Sequence, residues 1–459
     1  MAIKYNDFNS KLENYLVTQK ERLVSDWLDI VRIPSISSTG DGVSLCCDTI
    51  VEKMRSIGLD VTVYPVKPYP AIFAKYGDDP KKKTVLIYAH YDVQPADPID
   101  EWKTPPFEPT IIDGIVYGRG TSDNKGPLMA HLKATEFWLK NYGELPVNIK
   151  FIFEGCEENS SLGLPEFLND NRELLQADLV YFSDGPRHES GLPTVALGAK
   201  GMLYLELTLE SSKRDAHSMY APILPNAAWE LIELLYKLKN NGEVKIPGFY
   251  DNVQEISELE SEFMRKLPNV VDEIIETFGV EPVIPPEKTY YEQLLNMPTF
   301  NISGFTSGYT GEGGKTVLPS TATAKIDIRL VANQSCDEIY EKLVNYIEEL
   351  GYDNVEIVKK GGVEPSKTPI ETKYLPLIEK ATRETFGEYI VYPCRPSTAP
   401  DYLWTNILGL PAIQVRWCDA DSGNHAPNEK LAIDTYIKGI ECTSRVIRII
   451  GEEGLCTPL

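Results

Sequence analysis

Apolar positions along the chain fall into two rhythms. Leu23, Val24, Trp27, Leu28 and Val31 recur at helical spacing, and Pro34 closes that helix. Thr84-Val85-Leu86-Ile87-Tyr88-Ala89 is a short β-branched run of the kind buried on both faces of a sheet. Pro127 stands near the start of a predicted helix whose Leu128, Leu132, Thr135 and Leu139 share one face. Ile149 to Phe153, Leu179 to Phe182 and Ala412 to Val415 are further strand runs. Strands alternating with helices predict an α/β unit, a mostly parallel sheet covered by helices.

The middle of the chain has a different grammar. Met202 to Leu209 and Thr321 to Val331 read as long strands, the second alternating like a half-exposed antiparallel strand. Helical stretches follow at Ala227 to Leu238 and Glu338 to Leu350. This predicts an α+β unit inserted into the first, with residues 196–366 as the insert and 1–195 and 367–459 as the two parts of the host. Gly198-Ala199-Lys200-Gly201 and Gly361-Gly362-Val363-Glu364-Pro365-Ser366 read as connectors. An acidic, Pro-punctuated segment, 240–298, reads as an elaboration within the insert.

Composition narrows the function. A chain of 459 residues, 42% hydrophobic and 25% charged, has material for two or three packed units and is neither disordered nor collagen-like. No apolar run reaches the ~18 residues that a bilayer span needs. The start, Met1 to Asp7, lacks a basic segment followed by an apolar stretch, so no secretory signal is expected. The charge of −23 repels phosphate backbones and anionic lipid heads, so neither nucleic acid nor membrane is an expected partner. Eight scattered cysteines, without a Cys-x-x-Cys pair and with Cys46 and Cys47 badly placed to bridge each other, point to a reducing, cytoplasmic setting.

The candidate chemistry sits at strand ends. Of five histidines, His90 directly follows the strand run ending at Ala89, where ligand-binding groups gather in open α/β sheets. Asp92, two residues on, could accept the second ring N–H and hold the tautomer. Asp123 lies in a Gly-flanked turn before a helix, and Glu157 and Glu158 follow the strand run ending at Phe153. Asp184 follows Phe182, and His425 lies in a turn after Val415. One strand-end carboxylate is ordinarily a cap or a solvated charge. Several arranged along one rim suggest a metal site.

Two imidazoles and three carboxylates without thiolate suit two cations sharing one bridge. The mixture favours Zn²⁺, with Mn²⁺ or Co²⁺ as substitutes. Such a pair acidifies a shared water and polarises a carbonyl. One of two successive glutamates can then coordinate while its neighbour moves the proton. Cys156, beside the pair, reads as structural.

These motifs resemble the dinuclear-zinc aminoacylase and carboxypeptidase superfamily, most closely its carnosinase-like dipeptidase branch. The resemblance runs from Ile33-Pro34-Ser35-Ile36-Ser37 to Asn424-His425-Ala426-Pro427-Asn428-Glu429. It implies that His90 and Asp184 bind one metal, Glu158 and His425 the other, and Asp123 bridges. Glu157 is implied as general base and Asp92 as the residue orienting His90. The insert is implied to be a lid and dimerisation domain, whose His217 reaches the partner subunit's active site to stabilise the oxyanion. Arg329 would hold a substrate carboxylate, and Gly311 to Pro319 would form a hairpin bordering the cleft.

Three departures bear on the substrate. Met219-Tyr220-Ala221-Pro222 replaces a pattern with an early Gly, Asn124 stands where Asp is commoner, and Arg395-Pro396-Ser397 replaces a Gly-Gly-Ser loop. Ser397 is the expected substrate contact in that loop, beside Pro396, which has no N–H to donate. His131 and His188 match no motif and read as a helix-surface and a loop residue.

The function expected is a metal-dependent peptidase that hydrolyses dipeptides or removes a C-terminal residue, acting as a homodimer on small peptides. An N-acyl-amino-acid deacylase with the same centre is the alternative. A silent binding protein on this fold would have lost a ligand or Glu157, and all are present.

Overall fold

The computed structural model describes residues 5–456. Residues 1–4, which begin the stretch read for a secretory signal, and 457–459 lie outside the described residues.

Eight strands form the main sheet, in the order Asp60–Tyr64, Ala71–Tyr76, Asn148–Glu154, Thr84–His90, Leu179–Phe182, Ala412–Arg416, Thr194–Ala196 and Ile390–Tyr392. The four in the centre run parallel, so their carboxyl ends share one rim. Thr84–His90 is buried along nearly its whole length, as its unbroken apolar run requires.

The helix Lys125–Tyr142 packs on Thr84–His90 and is flanked by the helices Lys20–Val31 and Ile433–Cys456. Trp27 stacks on Tyr436 with ring centroids 4.5 Å apart. Because both flanks are covered, residues 125–138 are buried on every face. His131, expected at the helix surface, is therefore fully buried, with Nδ1 3.0 Å from Thr443 Oγ1. His188 lies in a loop, its Nδ1 2.9 Å from Ser190 Oγ. At Gly126 a Cβ would meet the Thr121 backbone oxygen at 2.2 Å. Glycine is what lets this helix start close against the turn that carries Asp123.

The insert has its own antiparallel sheet, ordered Asn301–Ser307, Thr321–Leu330, Gly201–Glu210 and Val355–Val363. Leu203, Leu205, Leu207 and Leu209 alternate with less buried residues and meet Ile326 and Ile328 in a separate core. The helices Ala227–Leu238 and Cys336–Glu349 pack against it. The fold class is thus α/β, a helix-covered, mostly parallel sheet with an inserted α+β unit.

Two features differ from the sequence reading. The connectors pair with each other, Gly198–Ala199 running antiparallel to Ser366–Lys367. The segment 240–298 is also divided: Val244, Ile246 and Phe249 stay in the insert's core, whereas Met264, Leu267, Tyr291 and Leu295 pack around Ile390 of the main sheet. Four scattered apolar residues meet a sheet edge that local periodicity cannot reveal.

Candidate metal centre

The parallel rim brings the strand-end residues together. His90 ends its strand, Glu157 and Glu158 form a short turn just after Glu154, and Asp184 follows Phe182. His90 Nε2 lies 3.2 Å from Asp123 Oδ1, and His425 Nε2 lies 3.2 Å from both Asp123 Oδ2 and Glu158 Oε2. Ligand atoms of His90, Asp123 and Asp184 lie within 4.8 Å of one another, as do those of Asp123, Glu158 and His425. The two groups share Asp123.

These residues fit a pair of divalent cations. Two ligands about 2.0–2.1 Å from one tetrahedral ion stand about 3.3 Å apart, close to the nitrogen–oxygen separations here. Among the described residues no Lys or Arg forms an ion pair with Asp92, Asp123, Glu157, Glu158 or Asp184, so the close partners of this crowded negative charge are imidazoles.

Burial and crowded charge shift Glu157, Glu158, Asp184, Asp123 and His425. Burial, and then the charges of Asp184, Glu158 and Asp123, push Glu157 well above the usual carboxylate range against the pull of His90. Burial and Asp123 raise both Glu158 and Asp184. Burial works upward on Asp123 too, but hydrogen bonds with His425 and His90 outweigh it and lower the carboxyl. Hydrogen bonds to Asp123 and Glu158 lift His425 to about 10.

A profile of peptidase family M20/M25/M40 matches residues 86–449, most of the chain and all seven of these residues. The chain belongs to this family. It is similar to the Cys-Gly metallodipeptidase dug1 of Schizosaccharomyces pombe, at 29% identity over 94% of this chain and 97% of the relative. The Beta-Ala-His dipeptidase of Homo sapiens is 31% identical over 81% of this chain and 75% of its own. Among solved structures, the M20 family metallo-carboxypeptidase Sso-CP2 of Sulfolobus solfataricus has a TM-score of 0.84 at 36% identity, covering 94% of this chain and 99% of that one. The protein is a metal-dependent M20 peptidase, and the resemblance to the carnosinase-like branch holds.

The surroundings of this M20 centre contain residues to which the sequence assigned no role. Glu429 is fully buried and accepts from Gly120 N at 2.8 Å, Ser122 N at 2.9 Å, Asp123 N at 3.0 Å and Arg119 Nη1 at 2.8 Å. It ties the turn carrying Asp123 to the loop carrying His425. Asn424 Nδ2 donates to Asp123 Oδ2 at 2.9 Å, and Gln94 Nε2 to Glu158 Oε2 at 2.9 Å. Asn124 Nδ2 donates to the Ser183 carbonyl at 2.8 Å and to Asp184 Oδ1 at 3.2 Å, an aim that an aspartate could not supply. Glu154 lies buried below the Glu pair, accepts from Tyr88 and Ser161, and is pushed up to about 7 by burial and then by Asp92.

Asp92 reaches more than His90. Its backbone oxygen lies 3.1 Å and its Oδ1 3.4 Å from His90 Nδ1, while its carboxylate accepts from Glu157 N at 3.1 Å and Glu158 N at 3.0 Å. One side chain thus aligns an imidazole and anchors the glutamate turn. Cys156 is buried and its thiol is raised to about 11 by burial.

The substrate-side residues are distributed differently. Arg329 is half-buried on its strand, and its Nη1 donates to Thr398 Oγ1 at 2.5 Å. Ser397 lies in the same loop, its carbonyl accepting from Lys200 N at 3.1 Å. His217 is exposed, its Nδ1 accepting from Met219 N at 3.1 Å, and is absent from both ligand groups of its own chain. Within the stretch Gly311 to Pro319, Val317–Leu318 pairs with Ala216–His217, which sets that stretch against His217.

Proposed function

We propose that this chain is a dipeptide-cleaving metallopeptidase in which His90 and Asp184 hold one cation, Glu158 and His425 a second, and Asp123 both. The observation that carries this is the shared Asp123, flanked on each oxygen by an imidazole at 3.2 Å. Oxygen and imidazole donors without thiolate suit Zn²⁺, with Mn²⁺ or Co²⁺ as substitutes. When bound, the cations would acidify a water and act as Lewis acid toward the scissile carbonyl.

Glu157 takes the proton from the attacking water and delivers it to the leaving amine. Its raised affinity for a proton suits both halves of that task. Asp92 keeps His90 and the glutamate turn in register. Arg329 grips the peptide's terminal carboxylate through a guanidinium steadied by Thr398, with Ser397 alongside.

Exposed His217 serves the centre of a partner copy as an oxyanion donor, which requires a homodimer. Two exposed features of the insert support that assembly. Trp229 and Tyr236 stand 66% and 63% exposed on the helix Ala227–Leu238, and the edge strand Asn301–Ser307 bears exposed Ile302 and Phe305. Among the described residues seven cysteines are free and buried, which supports a reducing, cytoplasmic setting, and no helix is long and apolar enough to cross a membrane.

Initial rates on a panel of dipeptides, C-terminally extended peptides and N-acetyl amino acids, before and after chelation, test this reading. Dipeptide cleavage abolished by chelation and restored by Zn²⁺ or Mn²⁺ is expected. Cleavage of N-acetyl amino acids with no dipeptide turned over would replace it with the deacylase reading.

A further inference from the structure

A cavity of about 430 Å³ opens beside Gly185, bounded by the helices Val271–Phe278 and Tyr290–Asn296 and by the end of the strand Ala412–Arg416. Arg187, Arg395 and Arg416 all line it. Arg187 pairs with Asp419 at 2.7 Å and Arg395 with Asp401 at 2.6 Å. Arg416 forms no ion pair among the described residues, and its Nε is buried without a hydrogen-bond partner. The Nε atoms of Arg187 and Arg395 are orphaned in the same way. Glu189 and Glu273 also line the cavity, and neither pairs with any of the three guanidiniums.

A half-buried guanidinium without a counter-charge, as Arg416 is, is costly, and a fold keeps one where something answers it. Burial, and then the neighbouring Arg395, press Arg416 down to about 10. The charge of Asp184 reaches Arg416, but as a cation ligand Asp184 is committed elsewhere. Gly185 makes the approach possible. It has φ +78°, and a Cβ there would stand 2.7 Å from Arg416 Nη2. The guanidinium therefore lies against the backbone one residue beyond the metal centre. Ser397 lines the same cavity, and its neighbour Thr398 accepts from Arg329, so the space adjoins the place assigned to the substrate's terminal carboxylate.

We propose that this cavity receives the side-chain carboxylate of an aspartyl or glutamyl residue of the peptide, with Arg416 as its charge partner and the positive charge of Arg395 beside it. A planar guanidinium fork matches a carboxylate. The proposal rests on the metallopeptidase reading and adds to it a substrate class, acidic peptides.

The test compares kcat/KM for Ala-Glu and Glu-Ala with Ala-Gln and Gln-Ala, in the wild type and in Arg416→Gln and Arg416→Met. Each substrate pair differs only in charge. The methionine variant replaces an unpaired, half-buried charge with apolar volume, so the fold should survive it, and a cooperative melt verifies this. At least one acidic peptide should exceed its amide by about 10–100-fold in the wild type, and both variants should bring that ratio toward one. A wild-type ratio near one for both pairs, or a ratio untouched by the variants, overturns the proposal. Cleavage of the amides without acidic preference sinks this inference alone, whereas failure to cleave any dipeptide sinks the metallopeptidase reading with it.

Discussion

His131 separates what a residue's neighbours in sequence reveal from what the fold decides. Its helical period put it off the core face, yet Tyr181 approaches its ring edge-on at 5.4 Å and Thr443 closes over it from the last helix. Burial lowers its pKa to about 3, so the imidazole stays neutral in the fold. In the unfolded chain it protonates near 6.5. The stability that neutral His131 contributes is therefore complete above pH 6.5 and is lost as pH falls toward 3, by about 2 kcal/mol between pH 6.5 and 5. His131→Gln, whose amide can still reach Thr443, should lose less melting temperature than the wild type between pH 7.5 and 5. Parallel losses would contradict this. His90 and Asp123 were legible because each stands at the border of a strongly patterned element. Glu429 and Arg416 were not: the first gains its role from backbone N–H groups about three hundred residues away in the chain, the second from a cavity between distant segments.

At the scale of elements, the parallel strands were readable because burial on both faces demands unbroken apolar runs. Their shared direction is what turns separate strand ends into one rim. The placement of the later part of 240–298 was not readable, since Met264, Leu267, Tyr291 and Leu295 meet a strand edge more than ninety residues onward. The junction of the helix Lys125–Tyr142 with the Asp123 turn tests how tightly element packing controls the centre. Gly126→Ala would drive a methyl carbon into the Thr121 carbonyl, a backbone atom that moves only with the turn. We expect cation affinity to drop roughly 10–100-fold, the range seen when supporting groups around metal ligands are disturbed. Equilibrium dialysis with Zn²⁺ measures it, and unchanged affinity would show that the turn can shift without disturbing Asp123.

For the whole molecule, the insert presents a surface that one copy leaves open. The helix Ala227–Leu238 buries Leu231, Leu234 and Leu238 against its sheet while Trp229, Ile232 and Tyr236 face outward. Trp229→Glu combined with Tyr236→Glu should convert a dimer to a monomer in sedimentation velocity. It should also cut peptidase activity at least about 100-fold, the scale of losing one oxyanion donor. A monomer of full activity would remove His217 from the reaction. The central claim concerns the five ligands, and counting bound cations tests it most directly. Metal analysis after dialysis against dilute Zn²⁺ should find two ions per chain in the wild type and fewer than one in Asp123→Asn, which keeps shape but removes the shared charge. Two ions retained by that variant, or none bound by the wild type, would contradict the account.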